Sequence, residues 1–534
     1  MMEKKKKIIL TLIEWLVFAL IAFFAVNKVN HVLMPKYVYQ NSSFPTTSTF
    51  YEFYKMQPDT VDVLFFGSSV GVDAFSPQQI YNEYGIRSYN LSSEAQSIFM
   101  SYYWLKEALR FQHPKAVVMD LYFLGPLRDE PVNMRETMLR KCIDPMKWSP
   151  VKAEAVNNIM YASADFVETH PDYVVPSVAS YFLPNIRFHN RWSTGLEDVD
   201  FKKEVYTSAP LKGWTALLYY IDPELGTFTP FVHSGSEDRA EVHELMKEYL
   251  LKIGELCREE DIQLILINLP GCGLQPYGMI DGFVNTCGDL AKEAGADYYN
   301  LGEKSIYDQL GIEFPDWPKS HANFWGSVKL SRYIGKMLKE QYNIPAVEDE
   351  QYESTRAFYD KVVKDANLQY IDSLDEYLEA INDPDYTVFF SVCADGTKGL
   401  PETAQEKLHE MGITSDLSGR EGVSWIAVVD PKTGVTEQLS ENEPLDYVGS
   451  FGPLSTRCHL KSTGTNAGDP NSSITINSTE YCNNCGGLNI VVWDNVGRTL
   501  IDSVTFDTDN DLAVYRFWFG DLLRNGEEVA IARW

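Results

Sequence analysis

At 534 residues the chain is too long for one ordinary core, and its length implies roughly two to four domains. A composition of 45% hydrophobic and 23% charged residues is globular rather than disordered. The net charge of -29 leaves no positive excess to neutralise phosphates, so nucleic acid is not an expected partner.

The N-terminus departs from this average. Lys4, Lys5, Lys6 and Lys7 precede an apolar run from Ile8 to Val26 that only Thr11 and Glu14 interrupt. About twenty such residues cross a bilayer as a helix. The lysines are expected to stay in the cytoplasm and send the C-terminus outward. A cleaved signal peptide is the competing reading; it fits less well, because the run exceeds a usual apolar core of a signal and no A-x-A-like site follows. Residues 1–32 therefore read as a cytoplasmic stub and transmembrane anchor, and the polar stretch over 33–57 as a spacer. The bulk of the chain is expected outside the cytoplasm.

From residue 58 onward, strand-like and helix-like segments alternate. Apolar runs at 61–66, 88–91, 116–122, 264–268 and 297–301 are short enough for buried strands. Helical spacing or capping signals fall at 77–84, 97–111, 240–258, 280–294 and 325–342. This alternation predicts an α/β fold with a parallel sheet flanked by helices. Residues 125–235 show many aromatics and no clear period. In such sheets ligands bind beyond the carboxyl ends of the strands.

A domain boundary is expected after residue 345. Glu348, Asp349, Glu350 and Glu353 form an acidic stretch, most simply a solvated linker, and 346–384 reads as linker plus helix. From 385 to 534 the chain turns into short β-rich runs (386–392, 425–429, 474–476 and 488–493) with one helix at 401–411. This is a separate, mostly β domain. Eight cysteines are too few for a disulfide scaffold. The Cys482-Asn483-Asn484-Cys485 spacing lacks a second pair, so a local disulfide or two plain thiols is preferred over metal. No cofactor or metal site is expected.

Candidate chemistry lies at Gly67-Ser68-Ser69, directly after the first strand and before a helix whose amides can stabilise an oxyanion. A serine there needs a base. Among nine histidines, His321 is the best placed, in a turn beyond the last strand and before the last helix. A Ser-rich turn after a strand is more often only a turn.

Phe66-Gly67-Ser68-Ser69 with Phe75-Ser76-Pro77 resembles the nucleophile block of the SGNH (GDSL-like) hydrolases. Ser88-Tyr89-Asn90-Leu91-Ser92-Ser93-Glu94-Ala95-Gln96 is similar to their second block, and His321-Ala322-Asn323-Phe324-Trp325-Gly326 to the histidine block. The resemblance covers about residues 58–342 and includes His189-Asn190-Arg191-Trp192, a stretch seen in membrane-anchored bacterial members. It implies an SGNH-like three-layer fold, Ser69 as nucleophile, His321 as base, the amides of Ser69 and Ala95 as oxyanion donors, and Asn90 and Asn323 beside the substrate. Three positions depart from the family. Ala95 replaces the second-block glycine. Asp120-Leu121-Tyr122-Phe123-Leu124 lacks the third-block asparagine. Pro318 stands where the orienting acid should be. Asp316 then substitutes from a shifted loop, or the histidine works without an acid, or the site is degenerate.

Residues 385–534 resemble the interleukin-like EMT-inducer domain, a lectin-like β fold, through Trp425-Ile426-Ala427-Val428-Val429-Asp430, Ser462-Thr463-Gly464, Gly487-Leu488-Asn489-Ile490-Val491-Val492 and Phe506-Asp507-Thr508. That resemblance implies glycan binding; the residues alone are equally consistent with Asn489 and Asp507 satisfying turns. Together the two resemblances imply an extracytoplasmic serine esterase or O-acyltransferase acting on acyl esters of a cell-surface polysaccharide. The alternative is a catalytically inactive glycan-binding surface protein.

Overall fold

The computed structural model describes residues 2–34, 46–124, 136–169, 177–196, 198–201, 209–218, 229–270, 280–317, 321–452, 455–495, 499–510 and 512–516. Pro318 and Cys272 lie outside the described residues.

Five strands form one parallel sheet: β1 (Val63–Phe66), β2 (Ser88–Asn90), β3 (Ala116–Asp120), β4 (Gln263–Asn268) and β5 (Asp297–Asn300), in the order β2-β1-β3-β4-β5. β1 and β3 read as unbroken apolar runs because both faces of the sheet are covered. Leu64, Phe66, Val117, Met119, Leu264 and Leu266 face one helical layer, while Val63, Phe65, Val118, Ile265 and Ile267 face the other. The first layer is made by the helices Ile98–Ala108, Glu244–Glu259 and Asp281–Ala294; the second by Ser69–Ala74, Pro77–Tyr84 and Phe324–Glu340. The α/β expectation holds. After β1 the chain passes to β2 on one side and then to β3 on the other. The carboxyl end of β1 is thus a switch point of the sheet, where a crevice forms.

Two segments read as solvated are built into the core. Within the expected spacer, Thr46–Phe53 is a helix. It buries Phe50 and Phe53, and Phe50 stacks on Trp104 with ring centroids 4.1 Å apart. Within the expected linker, Tyr352 is fully buried, stacks on Tyr81 and donates its hydroxyl to the Ser88 carbonyl. The Arg356–Asn367 helix then joins Tyr359 and Val362 to Trp214 and Phe324 of the first unit. Its Lys361 pairs with Asp494 of the second. The acidic residues were a poor guide, because Tyr352, Tyr359 and Val362 between them supply the apolar face.

The described residues of 386–516 are mostly β, with ten strands in one curled sheet. The long Tyr386–Ala394 strand is central, antiparallel to both Gly487–Asp494 and Ser424–Asp430. The Glu402–Glu410 helix covers one face. Cys482 and Cys485 are free thiols, and Cys482 packs against the Ser472 hydroxyl at 3.1 Å. At the other end of the chain a single helix, Met2–Leu33, includes a stretch long and apolar enough to cross a bilayer.

Candidate active site

Ser69 opens the helix Ser69–Ala74 at the carboxyl end of β1, and Ser68 caps it by accepting from the Val70 N–H. A short strand and an immediate helix leave the Ser69 hydroxyl at the rim rather than in the sheet. His321 reaches the same rim from the turn before the Phe324–Glu340 helix. Asn323 sets that turn: its side chain accepts from the Gly326 N–H as N-cap and donates to the Pro315 carbonyl. The outcome is a Ser69 Oγ to His321 Nε2 distance of 2.9 Å across 252 residues of sequence. Burial holds the imidazole down to about 4, so it is neutral at pH 7 and able to accept a proton.

Asp73 was not singled out in the sequence, yet it stands four residues after Ser69 on the same helix, and so on the same face. One of its carboxyl oxygens lies 4.0 Å from His321 Nε2. The side chain is fully buried and neither oxygen has a hydrogen-bond partner among the described residues. Burial holds its pKa well above the usual carboxylate range, which favours the neutral acid. The signal for it was the i, i+4 spacing from Ser69, which carries information only once Ser69 is known to start a helix.

Asp316, the acid expected from the sequence, is engaged elsewhere. Its carboxylate accepts from the Glu313 N–H at 2.8 Å and from Lys329 Nζ at 2.7 Å. Among the described residues, the carboxylate within 4.0 Å of the imidazole is that of Asp73.

Asn90, expected beside the substrate, is fully buried. It donates to the Gly71 and Phe75 carbonyls and accepts from the Ser92 N–H. In this arrangement it ties the end of β2 to the nucleophile helix. Asn323 is likewise buried and spent on its cap.

Ala95 adopts φ +53°, the left-handed region that glycine enters freely and that costs other residues roughly 1–2 kcal/mol. The backbone there keeps a glycine-type conformation without glycine. Around it the strand ends are closely packed. A side chain at Gly71 would meet Ser92 Oγ at 2.8 Å, and one at Gly67 would meet Asp120 Cβ at 3.2 Å. Asp120, at the end of β3, is pushed up to about 7 by burial, against the opposing pull of the Tyr122 and Leu269 amides. Its Oδ2, like Ser92 Oγ, is buried without a hydrogen-bond partner among the described residues.

The fold and this pair define a class at the coarse level: an α/β protein with a serine–histidine pair at the switch point of a parallel sheet, followed by a β-rich unit. No family model matches the chain, and no curated protein matches it.

Proposed function

We propose that the protein is a serine esterase or O-acyltransferase of SGNH type, acting on acyl esters of cell-surface polysaccharide from the outer side of a membrane that its N-terminal helix spans. The observation that carries this reading is the 2.9 Å contact between Ser69 Oγ and His321 Nε2. A neutral imidazole takes the Ser69 proton as Oγ bonds to the acyl carbon. The tetrahedral oxyanion is assigned to the amides of Ser69 and Ala95. The imidazolium then protonates the departing sugar alkoxide, and the acyl group stays on Ser69 as an ester. In the second half His321 deprotonates the acceptor, water or another sugar hydroxyl, which takes the acyl group and restores Ser69. An anchor and a β-rich unit of lectin-like type suit a substrate fixed at the surface.

The test is labelling of the purified full chain with a fluorophosphonate, which traps an activated serine. Labelling of wild type that is lost in Ser69→Ala supports the enzyme; equal labelling of both ends it. Anchoring and orientation are tested separately, by alkaline extraction of membranes and by protease added to intact spheroplasts. Material that leaves the membrane at high pH, or a C-terminal region fully protected from protease, would count against them.

One observation favours a second reading. Asp73 lies on the Nε2 side that Ser69 also occupies, and Asp316 is held by Lys329. A hydrolase fold retained as a glycan-binding surface module, without turnover, accommodates that arrangement. Carbohydrate binding by the unlabelled protein would then persist in Ser69→Ala.

A further inference from the structure

The last turn of the Met2–Leu33 helix is held by the segment 178–201. The Asn185 N–H donates to Asn30 Oδ1 at 2.9 Å, and Arg191 Nη1 donates to the Leu33 carbonyl at 2.9 Å. That carbonyl is one of those a helix C-terminus leaves unpaired within the helix. Arg191 Nη2 is fixed in turn by the buried Asp200 at 2.8 Å. Val32 and Leu33 are buried here, whereas Ile8 to Phe24 present their large apolar side chains outward.

The outer surface of this collar carries large apolar side chains among polar ones. Trp192 is 71% exposed, Phe201 55%, Val178 49% and Ile186 43%. Beside them Trp148, 65% exposed, packs edge-on against Phe182. Among the described residues beyond the anchor, these are the two exposed tryptophans. What gives these side chains meaning is that the segment carrying them is fastened to the end of the apolar helix.

Its position selects the partner. Asn30, which accepts from the Asn185 N–H, lies four residues beyond Val26, the end of the apolar run, a rise of about 6 Å. A bilayer's headgroup layer extends roughly 5–8 Å beyond the hydrocarbon on each side. The collar therefore stands at headgroup height, where tryptophan and other amphipathic aromatics partition. We propose that the 178–201 surface lies in the lipid headgroup layer, with Trp192 and Phe201 inserted, so that the α/β unit is held at a set height and orientation above the membrane. The inference rests on the anchor reading. It also assigns Arg191-Trp192 a role apart from catalysis: the arginine fastens the anchor and the tryptophan enters the lipid.

The experiment uses the full chain reconstituted in phosphatidylcholine vesicles with or without brominated acyl chains, which quench tryptophan on contact. Subtracting the emission of Trp192→Phe from that of wild type isolates Trp192; Trp15→Phe isolates Trp15 in the anchor. The expected result is loss of both difference signals in brominated vesicles, with Trp192 shielded from aqueous iodide. Quenching of Trp15 alone, with Trp192 open to iodide, overturns the collar and leaves the anchor standing. Quenching of neither overturns the anchor reading, and the collar falls with it.

Discussion

Asp73 and Ser69 share one imidazole nitrogen: His321 Nε2 is 2.9 Å from Ser69 Oγ and 4.0 Å from a carboxyl oxygen of Asp73. An ionised Asp73 would stabilise an imidazolium and draw Nε2 away from the serine. A neutral Asp73 leaves Nε2 to accept from Ser69. Burial, with no hydrogen-bond partner among the described residues, favours the neutral form.

The pH profile follows. With His321 held down to about 4, kcat/KM on a neutral acyl ester should stay level from about pH 8 to pH 5 and fall below that. Steady-state rates across this range check it. An acid limb near the ordinary histidine value of about 6.5 would mean that the imidazole is wetter, or Asp73 ionised.

Ser69→Ala and His321→Ala should each lower turnover to a common floor, roughly three orders of magnitude or more below wild type, because the two act as a unit. Combining them should add little. Additive losses in the double variant would break the pairing.

Asp316→Asn tests where that carboxylate acts. Its bonds to Lys329 and to the Glu313 amide predict a loss of about 1–3 kcal/mol in stability. Turnover should remain within about an order of magnitude of wild type. A fall of thousands-fold at unchanged melting temperature would restore Asp316 as the orienting acid.

Asp120 should make stability pH-dependent in a defined direction. Its folded value of about 7 exceeds the unfolded value of about 3.9, so the folded state holds a proton that the unfolded state releases. The contribution is complete below about pH 4 and is lost as pH rises toward 7. Asp120→Asn should therefore gain melting temperature relative to wild type between those limits. A difference that does not change with pH would refute the assignment.

The segment 346–384 should resist limited proteolysis in the folded protein, since Tyr352 and Tyr359 are buried against the α/β unit. Tyr352→Ala should cost about 3–5 kcal/mol and open this segment to cleavage. Ready cleavage of wild type there, leaving two folded pieces, would restore the linker reading.

The strands were legible in the sequence because a doubly covered parallel sheet writes itself as short unbroken apolar runs. Val63–Phe66 and Ala116–Asp120 fall within the expected stretches. The N-terminal apolar helix was legible for the same reason: the run from Ile8 to Val26 has bilayer length whatever else the chain does. The Gly67-Ser68-Ser69 turn and His321 were marked by their positions at strand and helix ends, and the resemblance to the SGNH nucleophile block singled out Ser69. Their 2.9 Å approach belongs to the tertiary structure alone, since 252 residues intervene. Tertiary packing also decided the acid. Asp73 and Asp316 are both aspartates near the end of a short helical segment, and nothing local separates them. The difference is that Lys329 reaches one, while the fold buries the other beside the imidazole, with no hydrogen-bond partner among the described residues. Tyr352 and Trp192 carry the same lesson in opposite directions. One sits in an acidic stretch and is buried; the other is a large aromatic left in the open. Burial is a property of what packs against a residue, and that is set by distant parts of the chain.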